Sequence, residues 1–165
     1  MRWTCSRCGE EHVGMPLDWA YDSPVYWDGP RSKDDMLSED LSIWTDDVGR
    51  VNYFIRGVLY IPIVDSDQQF GYGVWSSLSE ESFGRIYDLW DDPKRVEEPP
   101  YFGWLSNSIT GYPDTLNLPL DVVVEQIDKR PSLVLHDGEH PLVAEQRDGI
   151  TMERVREIAE LNVHD

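Results

Sequence analysis

The sequence predicts an α+β protein: an antiparallel sheet of about five to six strands, two or three helices packed on it, and an N-terminal cysteine turn. Three observations lead there. Val51 to Val64 reads VNYFIRGVLYIPIV, fourteen positions dominated by β-branched and aromatic residues and interrupted by one charge, Arg56. In SEESFGRIYDLW, Phe83, Ile86, Tyr87 and Trp90 fall at i, i+3, i+4 and i+7, one face of a helix. The chain also opens on CSRCGEEH, in which Cys5 and Cys8 stand three apart and glycine follows directly.

At 165 residues the chain suits one domain, divided into a cysteine turn (1–16), an acidic irregular arm (17–49) and an α+β body (50–165). The arm carries nine acidic and two basic residues among turn formers such as Ser23-Pro24 and Gly29-Pro30, and a short helix is expected near Lys33 to Leu41. Its aromatic residues, Trp19, Tyr21, Tyr26, Trp27 and Trp44, imply that parts of it pack on the body.

The body begins with Val51 to Val64 as two strands, or as one bent strand with a bulge at Gly57; Pro62 places the far end at an edge or takes it out of the sheet. A turn at DSDQQ leads into FGYGVWSSL, completing a hairpin. Ser79 caps a helix from Glu80 to Trp90, which DDPKRVEEPP ends. YFGWLSNSI gives a short aromatic strand, Leu116 to Ile127 and Ser132 to His136 give two more, and Pro141 opens a helical segment through Arg147. Asp148-Gly149 breaks it, Thr151 caps a final helix, and Val155, Ile158, Ala159 and Asn162 mark that helix's inner side.

Charge narrows the function. With 14 basic against 32 acidic residues the formal charge is −18, which repels nucleic-acid phosphate and anionic lipid and favours either plain solubility or a basic protein partner. The start lacks the apolar core of a secretory signal and no apolar run is long enough to span a bilayer, so the expected location is cytoplasmic. Two cysteines are no disulfide framework, and they fit a reducing compartment.

Cys5 and Cys8 can chelate one tetrahedral zinc ion, with Gly9 letting the backbone turn tightly and His12 supplying a nitrogen ligand. The fourth ligand is open among His136, His140, His164 and an aspartate of the arm. The alternatives are a metal-free thiol turn and a redox couple. Two acids beside the thiols disfavour the redox couple by raising thiolate pKa, and a structural zinc is expected to staple the N-terminus.

Other groups carry less chemistry. His136-x-x-Glu139-His140 matches the string of inverted zinc peptidases, but Asp137-Gly138 and Pro141 deny it the helix that such a site requires. Arg56, if buried, needs a carboxylate or carbonyl partner, and a structural ion pair outweighs an anion-binding role. Asp65 and Asp67 read as a polar turn rather than a calcium loop. The aromatic stretch from Tyr101 to Asp114 offers binding candidates in Tyr101, Trp104 and Tyr112, joined by Arg56 and Trp75; no serine has a histidine or acid placed beside it by spacing, so no catalytic residue is assigned.

Taken together, WTCSRCGEEH, FIRGVLYIPIVDSD, FGYGVWSSLSEESF, PPYFGWLSNSITGYPDTLNL and HPLVAEQRDGITMERVREIAE resemble the bacterial domain of unknown function 2199 over nearly the whole chain. The resemblance implies a bacterial, cytoplasmic, single-domain protein whose Cys5, Cys8, Gly9 and His12 turn matches the family's start; it carries over no activity, and the 28–48 stretch is less typical of it. The reading that follows is a non-enzymatic binding or inhibitor protein, immunity-like, that docks a basic protein partner. The alternative is an enzyme or small-ligand binder using the aromatic-rich 101–114 region.

Overall fold

The computed structural model describes residues 2–163. Its element order is β1 (Arg2–Thr4), β2 (Glu11–Val13), β3 (Asp18–Ala20), β4 (Met36–Leu37), β5 (Leu41–Thr45), β6 (Val51–Pro62), β7 (Gln69–Leu78), α1 (Glu80–Asp88), β8 (Tyr101–Trp104), β9 (Pro119–Val123), β10 (Ser132–Leu135), α2 (Pro141–Asp148) and α3 (Met152–Val163). A short 3-10 helix spans Pro93–Glu97. The fold is α+β, as the residue patterns predict.

The β6–β7 hairpin is the spine, antiparallel in unbroken register from Tyr53 opposite Leu78 to Pro62 opposite Gln69. Gly57 therefore makes no bulge. A Cβ there would lie 2.8 Å from the Leu133 side chain and from the Pro131 carbonyl, so this glycine serves to let β10 approach β6. Pro62 ends the strand opposite Gln69, and its carbonyl accepts from the Ile150 amide at 2.8 Å, part of a parallel bridge between Ile63 and Ile150.

The main sheet has eight strands in the order β3-β7-β6-β10-β9-β8, with β5 pairing the first half of β6 on the side away from β7, ahead of β10, and β4 beside β5. Three of the eight, β3 to β5, come from the acidic segment, which is irregular from 21 to 35 as expected but forms no helix between Lys33 and Leu41, where β4 stands instead. Leu41–Thr45 pairs antiparallel with β6, and Asp18–Ala20 pairs parallel with β7. Leu41 and Ser42 are buried, and β5 alternates side chains across a surface that β6 already provides.

The sheet curls until its ends meet. Ser76 of β7 bridges to Leu105 just after β8, and the Ser106 amide donates to the Trp75 carbonyl at 2.8 Å. Gly103 makes this closure possible, since a Cβ would fall 2.1 Å from Ser76 Oγ. A core of Leu59, Ile61, Phe70, Tyr72, Val74, Leu120, Val122 and Leu133 fills the interior.

α1 begins at Ser79, whose side chain accepts from the Ser82 amide, and it buries Phe83 and Ile86; Tyr87, expected on the same face, is mostly exposed. In α2, His140 is the N-cap and Gly149, at φ 87°, ends the helix. α3 starts from two caps, Thr151 Oγ1 on the Arg154 amide and Asp65 Oδ1 on the Met152 amide. Its Val155 and Ile158 enter the main core, each stabilising by about 1.5–3 kcal/mol, while Ala159 faces the N-terminal ribbon.

A candidate metal centre at the N-terminal ribbon

β1 and β2 form a two-stranded antiparallel ribbon, with Trp3 opposite His12, and the cysteine turn is its loop. Gly9, at φ 72°, reverses the chain, donating its amide to the Cys5 carbonyl at 2.8 Å, while the Cys5 amide donates to the Glu10 carbonyl at 2.9 Å. Cys5 and Cys8 thereby come onto one side of the turn, and the ribbon register brings His12 to them. The ligand atoms of Cys5, Cys8 and His12 all lie within 4.8 Å of one another, and Cys8 Sγ is 3.7 Å from His12 Nε2.

Those spacings fit a metal ion. With bonds of about 2.3 Å to sulfur and 2.0 Å to nitrogen, the edge of a tetrahedral site is roughly 3.6 Å. The Cys8 thiol is also held above its ordinary pKa. The Glu10 amide favours its thiolate, but burial, Cys5 beside it and the Glu10 carboxylate outweigh that bond. A cation between the sulfurs reverses this balance. Thiolate–thiolate–imidazole is a donor set that could hold a metal ion.

The site is bolted to the body through α3. Cys5 is fully buried beside Trp3 and Ala159. Glu160, itself buried, accepts from the Ser6 amide at 2.9 Å and from Ser6 Oγ at 2.5 Å, and its other bond goes to Arg156 Nη1 at 2.6 Å. Arg7 reaches the Glu160 carbonyl at 3.3 Å. Trp3 stacks on the His12 ring at 4.7 Å and donates its indole N–H to the Gly14 carbonyl. His12 is thus oriented by packing as well as by strand register. Sequence reading missed Glu160, because a carboxylate next to an apolar stripe looks solvated until the ribbon that covers it is in place.

Among the described residues no fourth histidine, cysteine, aspartate or glutamate joins this group. His136 Nε2 pairs instead with Asp121 at 2.8 Å. His140 Nδ1 accepts from the Leu142 amide, and its Nε2 faces the Pro113 and Asp114 carbonyls at 3.1 and 3.0 Å. The His136-x-x-Glu139-His140 string therefore straddles the end of β10 and the cap of α2, with no shared helical face. His164 lies outside the described residues.

The binding candidates scatter. Trp75 is fully buried, its indole donating to the Tyr21 carbonyl at 2.9 Å, so it presents nothing to a ligand. Arg56 lies over Trp75, reaches the Glu39 carbonyl at 3.4 Å and stands 3.6 Å from Asp22, the structural pairing expected of it. Tyr112 is half-buried, joined to Tyr72 at 3.1 Å and donating to Glu145 Oε1 at 2.5 Å; burial pushes its pKa far up. Tyr101 donates to Glu98, which also holds Arg85. Strand parity sends Tyr101 and Trp104 to opposite faces, and of these candidates Trp104, with its neighbour Phe102, shows the large aromatic surface to solvent. The i, i+2 alternation around Gly103 was the available signal for Phe102.

No helix among the described residues is long and apolar enough to cross a membrane. No curated protein and no solved structure matches the chain. A family model does, over residues 4–150, taking in the whole cysteine turn, the sheet and α2. The chain belongs to that family, DUF2199, described as an uncharacterised protein conserved in bacteria.

Proposed function

We propose that the protein is a non-enzymatic binding protein: a body whose N-terminal ribbon is stapled by a structural zinc ion, and whose acidic exterior docks a basic protein partner. The observation that carries this reading is the disposition of charge. Arg2, Arg31, Arg56, Arg85, Arg130, Arg147, Arg154 and Arg156 are all engaged with the chain's own carboxylates. The excess of acidic over basic residues is then left facing outward, as at Asp34, Asp67, Asp88 and Asp91, which are exposed. A field of this sign accelerates association with a basic surface.

Zinc in this reading is structural, because Cys5 is buried and Ser6 is tied to Glu160, leaving the ligands fixed against α3. Cys5, Cys8 and His12 would hold the ion. When bound, it supplies a cross-link that the thiols alone do not make.

The test has two arms. Elemental mass spectrometry on untagged protein purified without chelator should find one zinc per chain, lost in Cys5→Ser and His12→Ala. Capture from the native host should yield a basic protein whose retention falls steeply as salt rises. Retention indifferent to salt, or no basic partner, refutes the docking reading; a metal-free wild type refutes the staple.

A further inference from the structure

The outer surface of β8, β9 and β10 carries two rows that leave Phe102, Trp104 and Val134 exposed among the described residues. In the first, Phe102 stands opposite Asp121, which stands opposite Val134; in the second, Trp104 stands opposite Pro119, beside which His136 is held by its amide bond to the Pro119 carbonyl. Phe102, Trp104 and Val134 are 46%, 45% and 44% exposed, large values for apolar side chains in the middle of a sheet. The Phe102 and Trp104 rings meet edge to face at 4.9 Å, forming a corner, and Phe102 lies 5.5 Å from the His136 ring. The Asp121 carboxylate lies in this surface, bonded through Oδ1 to His136 Nε2 at 2.8 Å.

We infer that this face is a docking site for a lysine- or arginine-bearing segment of a basic protein, the cation seated in the Phe102–Trp104 corner against the Asp121 carboxylate. The inference rests on the docking reading above and assigns its contact surface. Aromatic faces attract a cation through their quadrupole, most strongly once water is excluded, and Asp121 adds a formal charge of the right sign. Val134 and Pro119 supply the apolar flank on which a long aliphatic stem packs. Charge also decides against the other natural occupant of an apolar sheet face, a second copy: two chains of −18 repel each other.

The test uses the full chain and a defined probe, a short lysine-rich peptide, with a glutamate-rich peptide of equal length as control. Calorimetry should show binding of the lysine-rich peptide alone, weakened about tenfold in Phe102→Ala/Trp104→Ala and several-fold in Asp121→Asn, with melting temperatures close to wild type. Asp22→Asn/Asp47→Asn, after β3 and β5 and outside the three strands of this face, should change affinity less than the aromatic pair. Equal affinity for wild type and Phe102→Ala/Trp104→Ala refutes this face while leaving the acidic docking reading standing. No binding to wild type refutes both. A wild-type dimer in light scattering that Trp104→Ala dissolves assigns the face to a second copy and overturns the inference.

Discussion

Replacing Gln146 with methionine isolates a single polar wedge in the fold. β6 and β10 pair only at Val58 and Ser132, and beyond that point they diverge. Gln146, projecting from α2, fills the gap: Nε2 donates to the Leu133 carbonyl at 2.9 Å and the Tyr60 carbonyl at 3.1 Å, and Oε1 accepts from the Leu135 amide at 2.8 Å. One side chain thus satisfies three backbone groups on two strands. Methionine keeps the length and removes every bond. At about 0.5–1.5 kcal/mol net per bond the loss is roughly 3 kcal/mol, at the low end for any group that water can reach from the open groove lined by Tyr60, Leu133 and Gln146. For a chain of this size that is a fall of about 6–12 °C in melting temperature. Urea unfolding followed by tryptophan fluorescence and by far-ultraviolet dichroism should show a lower midpoint with an unchanged slope. Gln146→Glu should be at least as damaging at neutral pH, because its carboxylate would face two carbonyls, and should recover partly in mild acid as it becomes a donor. A Gln146→Met variant within about 0.5 kcal/mol of wild type would show that the wedge contributes nothing net and would refute the reasoning.

On the proposed zinc staple, chelation should lower the melting temperature, by about 4 kcal/mol of lost linkage energy if free zinc stands a thousandfold above its dissociation constant, and Cys8→Ser should reproduce the drop without chelator. Glu160→Gln keeps the shape but loses the charge that receives Ser6 and Arg156, so it should loosen the ribbon, read as faster amide exchange at residues 3–12 with the β6–β7 hairpin unchanged. Gly103→Ala should abolish soluble folding because its Cβ has nowhere to go, whereas Gly84→Ala in α1, with nothing within 4 Å, should stabilise by about 0.5–1 kcal/mol; the two together check the close approach by thermal melting. The Asp35 carboxyl is held below its ordinary pKa: burial raises it, but bonds from the Arg31 amide, the Thr45 hydroxyl and amide and the Ser32 amide outweigh that. A depressed folded pKa gives stability present above the unfolded value near 3.8 and lost as pH falls through the folded one, so Asp35→Asn should flatten the acid limb of a stability–pH curve below about pH 4.

What was legible in the sequence was legible for local reasons. The β6–β7 hairpin, α1 with its Ser79 cap and α3 behind Thr151 follow from periodicity and caps that neighbours in the chain define. The candidate metal site was legible because Cys5 and Cys8 sit on one tight turn and His12 follows four residues on. Residues 17–49 misled because their acids mask short strands: three residues of β3 and five of β5 carry little signal alone and become strands only on the edges that β7 and β6 offer. Gly57 read as a bulge for a similar reason, since sequence cannot show that Leu133, seventy-six positions on, needs the space.

By itself the sequence determined the fold class, the cysteine turn with its third ligand and the sign of the electrostatic field, because each depends on residue type, short spacing or a sum over the chain. Only the tertiary structure decided that Trp75 is core while Phe102 and Trp104 are surface, that Glu160 anchors the ribbon, and that His136 pairs with Asp121 rather than joining Cys5, Cys8 and His12. Aromatic residues carry the same pattern whether buried or exposed, and a carboxylate's partner is fixed by strand pairing and helix docking between segments up to 154 positions apart. Such contacts depend on which edges meet, and no local pattern encodes that choice.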